Sequence, residues 1–381
     1  MTPPNPSTAA LEGLINLADV AAAAQSALPP MARDYYRSGA RDERTLDDNR
    51  AAFDRARLRP RVMVDVSTRD PSTTALDHPV SMPLLVAPTA FQGMAWPRGE
   101  RETAAACARA GTVMVLSTLS TEPVESVAEA WRAAGGAARG GGLWFQLYVY
   151  RDREVTRALV ERARAAGCTA LVVTVDAPVL GTRERDVRNG FRLPDTLHIR
   201  DLLDAAGLAG EAVRRGTPDG SQLAEFVYNI LDPSLTWDDI AWLGSVAGLP
   251  VVVKGVLRGD DAVCAVEAGC AGVIVSNHGG RQLDTAIATL DALPEVVAAV
   301  GDRAAVLLDG GVRRGTDVLK AVALGAQAVL VGRPVVWGLA VGGAAGVSHT
   351  LGLLRAELDE AMALCGCPTT ADITRDRVWV A

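Results

Sequence analysis

The sequence predicts an α/β protein: a single (β/α)8 TIM barrel with an N-terminal helical extension and a long insertion after the fourth strand. Three features predict it, namely eight short apolar runs, helical segments between them, and a spacing that is regular apart from one gap. The runs are PLLVAP (83–88), TVMVLS (112–117), LWFQLY (143–148), ALVVTVD (170–176), PVVVKG (250–255), AGVIVSN (271–277), AAVLLDGG (304–311) and AVLVGR (328–333). They do not alternate polar with apolar, which is the pattern of parallel strands covered on both faces.

Taken in order, about 80 residues without this pattern precede the first run and form the extension. RGERETAAACARAG follows the first run, REVTRALVERARAAG the third, DDAVCAVEAGC the fifth and GTDVLKAVALGA the seventh. Each reads as a helix that closes on glycine or a small residue, as helix C-termini prefer. Successive runs start about 20 to 34 residues apart, except for about 80 between the fourth and fifth. That excess is the insertion, 183–235, which contains LPDTLHIRDLL, a Gly-, Pro- and Ser-bearing stretch and QLAEFVYNILDPSLTW. It leaves the barrel at a strand's C-terminal end, so it reads either as a lid or as a surface excursion. Extension and insertion aside, about 248 residues remain, close to the roughly 250 of this fold. The barrel is therefore expected at about 82–365, in one domain spanning 1–381. No G-x-G-x-x-G or G-x-x-x-x-G-K-[ST] follows a run, which disfavours a doubly wound nucleotide-binding sheet.

Composition excludes other classes. Hydrophobic residues make up 49% and charged residues 22%, the balance of a folded globular chain. With 38 Lys and Arg against 45 Asp and Glu, the net charge of −7 does not favour nucleic acid as a partner. Six cysteines, with only Cys365 and Cys367 close together, suggest reduced thiols in a cytoplasmic protein, without disulfide framework or metal site. The first residues lack the basic and clean apolar regions of a secretory signal. The apolar stretch from Pro334 to Val347 is shorter than the roughly 18 residues of a membrane span, and reads as buried helix and loop.

In such a barrel, chemistry is sought among polar residues at the C-terminal ends of strands. These are Thr89 after the first strand, Ser117 after the second, Gln146 and Tyr148 in the third, and Thr174 and Asp176 in the fourth. Lys254 follows in the fifth, Ser276 and His278 in the sixth, and Asp309 in the seventh. Any one alone reads as a satisfied rim residue. Together they are hard to attribute to packing, because buried ionisable groups are costly unless paired. DGGVRRG (309–315) and VGR (331–333) end the seventh and eighth strands, where this fold places phosphate, so a phosphate-bearing ligand is expected. SNHGGRQLD (276–284) sets His278, a candidate base, three residues before Arg281, a candidate carboxylate fork. Asp176 is placed to orient the imidazole and favour its cationic form.

APTAFQGMAWPRGE, LWFQLYVYRDRE, VTVDAPVLGTRERDVRNGF, PVVVKGV, GVIVSNHGGRQLD and LDGGVRRGTD resemble the FMN-dependent 2-hydroxy acid oxidase and dehydrogenase family, the group of glycolate oxidase, lactate oxidase, flavocytochrome b2 and mandelate dehydrogenase. The resemblance runs from DYYRSGA near Tyr35 to MALCGC near Met362. It implies FMN, with its phosphate at Gly311, Arg313, Gly332 and Arg333. It further implies ring contacts from Ser117, Gln146, Thr174 and the backbone at Thr89 and Ala90, with Ser276 among the cofactor contacts. Lys254 is expected beside flavin N1, where charge develops on reduction, and Asp309 at the ribityl chain. Arg281 and Tyr35 are expected to bind the substrate carboxylate with Arg183 nearby, and Tyr148 the substrate hydroxyl. His278 is expected to be the base, oriented by Asp176, removing either the hydroxyl proton or the Cα proton.

One departure stands out: glycolate oxidase has a tryptophan where this chain places Leu119, in STLST. A smaller side chain there admits larger acids, with Leu180 as a second apolar wall. The resemblance thus implies oxidation of an L-2-hydroxy acid to the 2-keto acid, with O2 as acceptor and hydrogen peroxide as product. A dehydrogenase delivering electrons to a quinone or protein is the alternative. The acidic insertion, with five Asp or Glu against three Arg from Asp195 to Asp219, disfavours membrane docking. A non-redox barrel binding a phosphorylated metabolite would explain DGGVRRG but leave Lys254, His278 and Arg281 without a purpose. A homotetramer is expected from the resemblance alone.

Overall fold

The structure, a computed structural model, describes residues 11–194, 196–199, 201 and 231–380. Eight parallel strands close a barrel: β1 (Leu84–Val86), β2 (Val113–Ser117), β3 (Gly142–Leu147), β4 (Leu171–Thr174), β5 (Val251–Val256), β6 (Gly272–Val275), β7 (Ala305–Asp309) and β8 (Ala328–Val331). Each follows its predecessor around the ring, and β8 pairs with β1 to close it. Nearly every strand residue is buried, as the unbroken apolar runs require. The third, fourth and sixth strands stop sooner than the sequence suggests. Tyr148, Asp176, Ser276 and His278 fall one to three residues beyond them, in loops free to aim side chains.

Among the described residues, the helices before the barrel include α1 (Leu17–Ala27), α2 (Pro30–Arg37) and α3 (Arg44–Arg55). The main helices around it are α4 (Gly99–Ala110), α5 (Val124–Ala133), α6 (Arg153–Ala166), α7 (Glu184–Arg188), α8 (Trp237–Ala247), α9 (Gly259–Glu267), α10 (Thr289–Val300), α11 (Gly315–Ala323) and α12 (Arg333–Cys365). Inside the barrel Leu85, Val115, Trp144, Val172, Val252, Ile274, Leu307 and Leu330 fill the lumen. Ala75 and Val80, from the ribbon Thr73–Val80, pack against the same cluster. The active face is therefore left to the opposite, C-terminal rim.

The apolar stretch after β8 is longer than the sequence reading held. It continues into a 33-residue helix, α12, long and apolar enough by composition to cross a membrane. Most of that helix is instead buried against α4 and α1. It bends at Gly342 and Gly343, where the φ of 54° and an indole in the way of any Cβ, Trp96 Cε2 at 2.8 Å, require glycine. Of the insertion, only its beginning and its end from Leu231 are described. The lid reading of its centre lies outside the described residues.

Candidate active site

At the C-terminal rim lies a cavity of about 1150 Å³, counted to its open mouth. Its wall includes Tyr35, Thr89, Ala90, Ser117, Leu119, Gln146, Tyr148, Thr174, Leu180, Arg183, Lys254, His278, Arg281, Asp309, Gly311, Arg313, Gly332 and Arg333. Of the residues singled out in sequence, Asp176 and Ser276 lie behind this wall.

Pairing register explains the ring. Ser117 faces Gln146 across β2 and β3, and Thr174 faces Lys254 across β4 and β5. Gln146 Nε2 donates to Thr174 Oγ1 at 3.1 Å, while its Oε1 accepts from Ser117 Oγ and the Thr118 amide at 3.2 Å each. The carboxamide is thereby fixed in one orientation.

Lys254 Nζ donates to Ser276 Oγ at 2.9 Å and pairs with Asp309 Oδ2 at 3.1 Å. Burial alone would lower the ammonium's pKa, but the carboxylates of Asp309 and Asp176 outweigh it and the net direction is upward. A fixed positive charge results. Asp309 Oδ1 is buried and has no hydrogen-bond partner among the described residues, so a residue that lines the cavity is left with an unsatisfied acceptor.

His278 Nδ1 and Asp176 Oδ1 are 2.8 Å apart. The network assigns the proton to Nδ1 as donor, which leaves Nε2 free to accept. Burial would raise the Asp176 carboxyl, but the charges of His278 and Lys254 and the bond from His278 bring it below its usual value. The histidine backbone is left-handed, with φ of 59°, and Ser276 Oγ accepts from its amide at 3.1 Å. Such strain, of order 1–3 kcal/mol, persists only where the surroundings enforce it.

Arg281 and Arg183 both lie over the Tyr35 ring, with guanidinium carbons 4.9 and 5.6 Å from its centroid. Arg281 Nη1 donates to the carbonyls of Tyr35 and Ser38 at 2.7 and 2.9 Å, which ties α2 to the rim. Tyr35 in turn stacks on Phe191 at 4.5 Å. Burial, then the neighbouring Arg183, lowers the Arg281 pKa, and burial followed by Asp176 raises that of Tyr148. Arg183 Nε lies 3.2 Å from Asp186 Oδ2.

Also on the cavity wall, Gly311 has φ of 83°, and a Cβ there would stand 2.2 Å from Asn49 O, so the loop after β7 needs glycine. Arg313 is brought down to about 10 by burial and then by Arg50. Arg333 is lowered by burial, then by Arg281 and Arg313. Desolvated, mutually repelling guanidiniums gain most from an anion. Arg333 spends three N–H groups on the carbonyls of Tyr36, Gly279 and Ser38, each at 2.9 Å. It therefore splices the extension to the rim as well as charging it.

Several contributors escaped the sequence reading. Asp317 Oδ2 accepts from the amides of Arg313 and Arg314 and from Arg50, and Arg50 also donates to Gly311 O. Asn49 and Asn277 exchange carboxamide bonds at 2.9 and 2.8 Å. Gln282 joins the loops after β4 and β6 by donating to the carbonyls of Asp176 and Val179 and accepting from Gly181. Asn277 and Gln282 lie inside SNHGGRQLD and Asp317 inside LDGGVRRGTD, but nothing in those motifs names their partners, and Asn49 and Arg50 lie in neither.

The sequence profile of the FMN-dependent dehydrogenase family matches residues 24–380. The chain belongs to that family. As an FMN-dependent dehydrogenase it is 57% identical over 364 residues to an L-lactate oxidase of Nostoc sp., covering 96% of this chain and 98% of that one. It is 49% identical over 369 residues to glycolate oxidase 1 of Zea mays, covering 96% and 95%. Among solved structures it resembles mandelate oxidase with (S)-4-hydroxymandelic acid, at TM-score 0.88 and 41% identity over 96% of this chain and 98% of that. An active mutant of (S)-mandelate dehydrogenase gives 0.86 and 39%, over 97% and 100%.

FMN is the cofactor of this family, and the site suits it. The unpartnered Asp309 Oδ1 offers an acceptor for a hydroxyl, and the loops bearing Gly311, Arg313, Gly332 and Arg333 offer charge for a phosphate. The fixed Gln146 carboxamide and the Lys254 ammonium line the same cavity. The reading of a non-redox phosphate-binding barrel is thereby set aside.

Proposed function

We propose that this FMN-dependent dehydrogenase oxidises an L-2-hydroxy acid of lactate size or larger to the 2-keto acid, with O2 as acceptor. The observation that carries the reading is the convergence on one cavity of a carboxylate-braced histidine, a stacked arginine pair and a buried, paired lysine. Oxidase names among relatives at 47–57% identity support O2 as acceptor. When bound, FMN supplies the two-electron acceptor that O2 restores, giving hydrogen peroxide.

The chain's own residues do the rest. Gly311, Arg313, Gly332 and Arg333 hold the phosphate, and Asp309 Oδ1 accepts from the ribityl chain. Ser117, Gln146, Thr174 and the Thr89–Ala90 backbone hold the ring system, with Ser276 acting from beneath through Lys254 and His278. Arg281, with Tyr35 and Arg183, binds the carboxylate, and Tyr148, kept protonated by burial, donates to the substrate oxygen. His278 Nε2 takes the substrate proton, and Asp176 stabilises the imidazolium that results. Lys254 supplies positive charge where the cofactor gains electrons. Leu119 and Leu180 wall the side-chain subsite.

A homotetramer in the cytoplasm, without membrane or nucleic-acid partner, completes the proposal. A steady-state screen of L-lactate, glycolate and mandelate under air tests it, with peroxide measured, and again without oxygen on an artificial acceptor. Peroxide equal to keto acid supports an oxidase. Turnover confined to the artificial acceptor favours the dehydrogenase.

A further inference from the structure

Arg313 and Arg333 face the same cavity and are held in different ways. Arg333 is pinned by three carbonyls. Among the described residues the Arg313 guanidinium makes one hydrogen bond, Nη1 to Val312 O at 2.8 Å, and no ion pair. What it rests on is Trp337, with the guanidinium carbon 4.9 Å from the indole centroid. Trp337 stands one turn after Arg333, near the start of α12, so this helix start serves both cations.

We propose that Trp337 is the positioning residue for the phosphate grip, its indole face holding the Arg313 guanidinium toward the cavity. The choice of an aromatic has a physical reason. A carboxylate in that place would fix the guanidinium equally well but would cancel its charge and occupy its N–H fork. An aromatic face attracts the cation through its quadrupole and leaves the in-plane donors free for an anion. Arg313 needs such support because Arg50 repels it and its surroundings are dry.

The inference rests on the assignment of the FMN phosphate to Arg313, and a double-mutant cycle separates the two. FMN and riboflavin, which lacks the phosphate, are titrated into apoprotein for the parent, Trp337→Leu, Trp337→Phe, Arg313→Met and the double variants. Trp337→Leu should lose roughly 3- to 30-fold in FMN affinity, with riboflavin affinity unchanged and most of the loss restored in Trp337→Phe. In the Arg313→Met background Trp337→Leu should change nothing further. Equal weakening of FMN and riboflavin, or a loss that persists without Arg313, overturns the inference while leaving the phosphate assignment intact. If Arg313→Met leaves the FMN-to-riboflavin preference unchanged, the phosphate assignment fails and the inference with it. Should Trp337→Leu not fold, Trp337→Met takes its place: its FMN affinity must fall about 3-fold or more in the presence of Arg313 with riboflavin affinity unchanged, and parity with the parent overturns the proposal.

Discussion

His278 donates from Nδ1 to Asp176 Oδ1 across 2.8 Å while its own backbone is held left-handed. The carboxylate thus fixes both tautomer and ring direction, and Ser276 and Gln282 fix the two loops that carry the pair. Asp176→Asn should keep FMN bound and lower kcat/KM by about 10²–10⁴, the range of a positioned general base. Steady-state kinetics at saturating O2 check this.

The same carboxyl sets a pH dependence of stability. Its folded pKa lies below its usual 3.8, so the unfolded chain binds the proton more tightly. The stabilisation is present above the usual carboxylate range and is lost as pH falls through it. Thermal unfolding between pH 6 and about 3 should therefore lose less stability in Asp176→Asn than in the parent. An identical acid slope in both would remove Asp176 from the list of stabilising carboxylates.

Lys254→Met should slow reduction by substrate more than it weakens FMN binding, because the charge matters most when electrons arrive. The pairing adds a structural consequence. The variant leaves the Asp309 carboxylate buried without its partner, at a cost of about 3–5 kcal/mol. Thermal melting should report that cost, and Lys254→Met with Asp309→Asn should recover part of it.

Arg281→Lys should raise KM and lower kcat together, by about 10- to 100-fold in kcat/KM. Besides a carboxylate fork, the substitution removes the two bonds by which Nη1 holds the Tyr35 and Ser38 carbonyls. An unchanged kcat/KM for the best acid would take Arg281 out of the substrate site.

What the sequence disclosed, and what it did not, follows from range. β1 to β8 were legible because strands buried on both faces must be uninterrupted apolar runs. The rim residues were legible because a barrel delivers strand ends to one face. Arg50, Asn49 and Asp317 were not, because each acts through a partner more than 200 residues away or through a bond to backbone amides that no spacing encodes. The left-handed His278 was also hidden, since a β-strand motif followed by glycines does not say which residue bears the strain. Tyr35 was placed through the family resemblance, and the structure seats its ring beneath both arginines.

Leu119 is nearly buried and lines the cavity, with its amide bonded to Ser117 Oγ at 3.1 Å. Leu119→Trp should shift preference toward glycolate over mandelate by about 10- to 200-fold in relative kcat/KM. The backbone bond is retained, so FMN should stay bound. A constant ratio would place size selection elsewhere.

The most direct measurement is anaerobic mixing of the FMN-loaded protein with L-lactate, D-lactate, glycolate and L-mandelate, followed at the flavin absorbance, and then exposure to air. Bleaching by at least one L-2-hydroxy acid and not by D-lactate is expected, with recovery in air and one hydrogen peroxide for each 2-keto acid. A flavin that dithionite reduces but none of these acids bleaches would contradict the assignment of the cavity to 2-hydroxy acid oxidation.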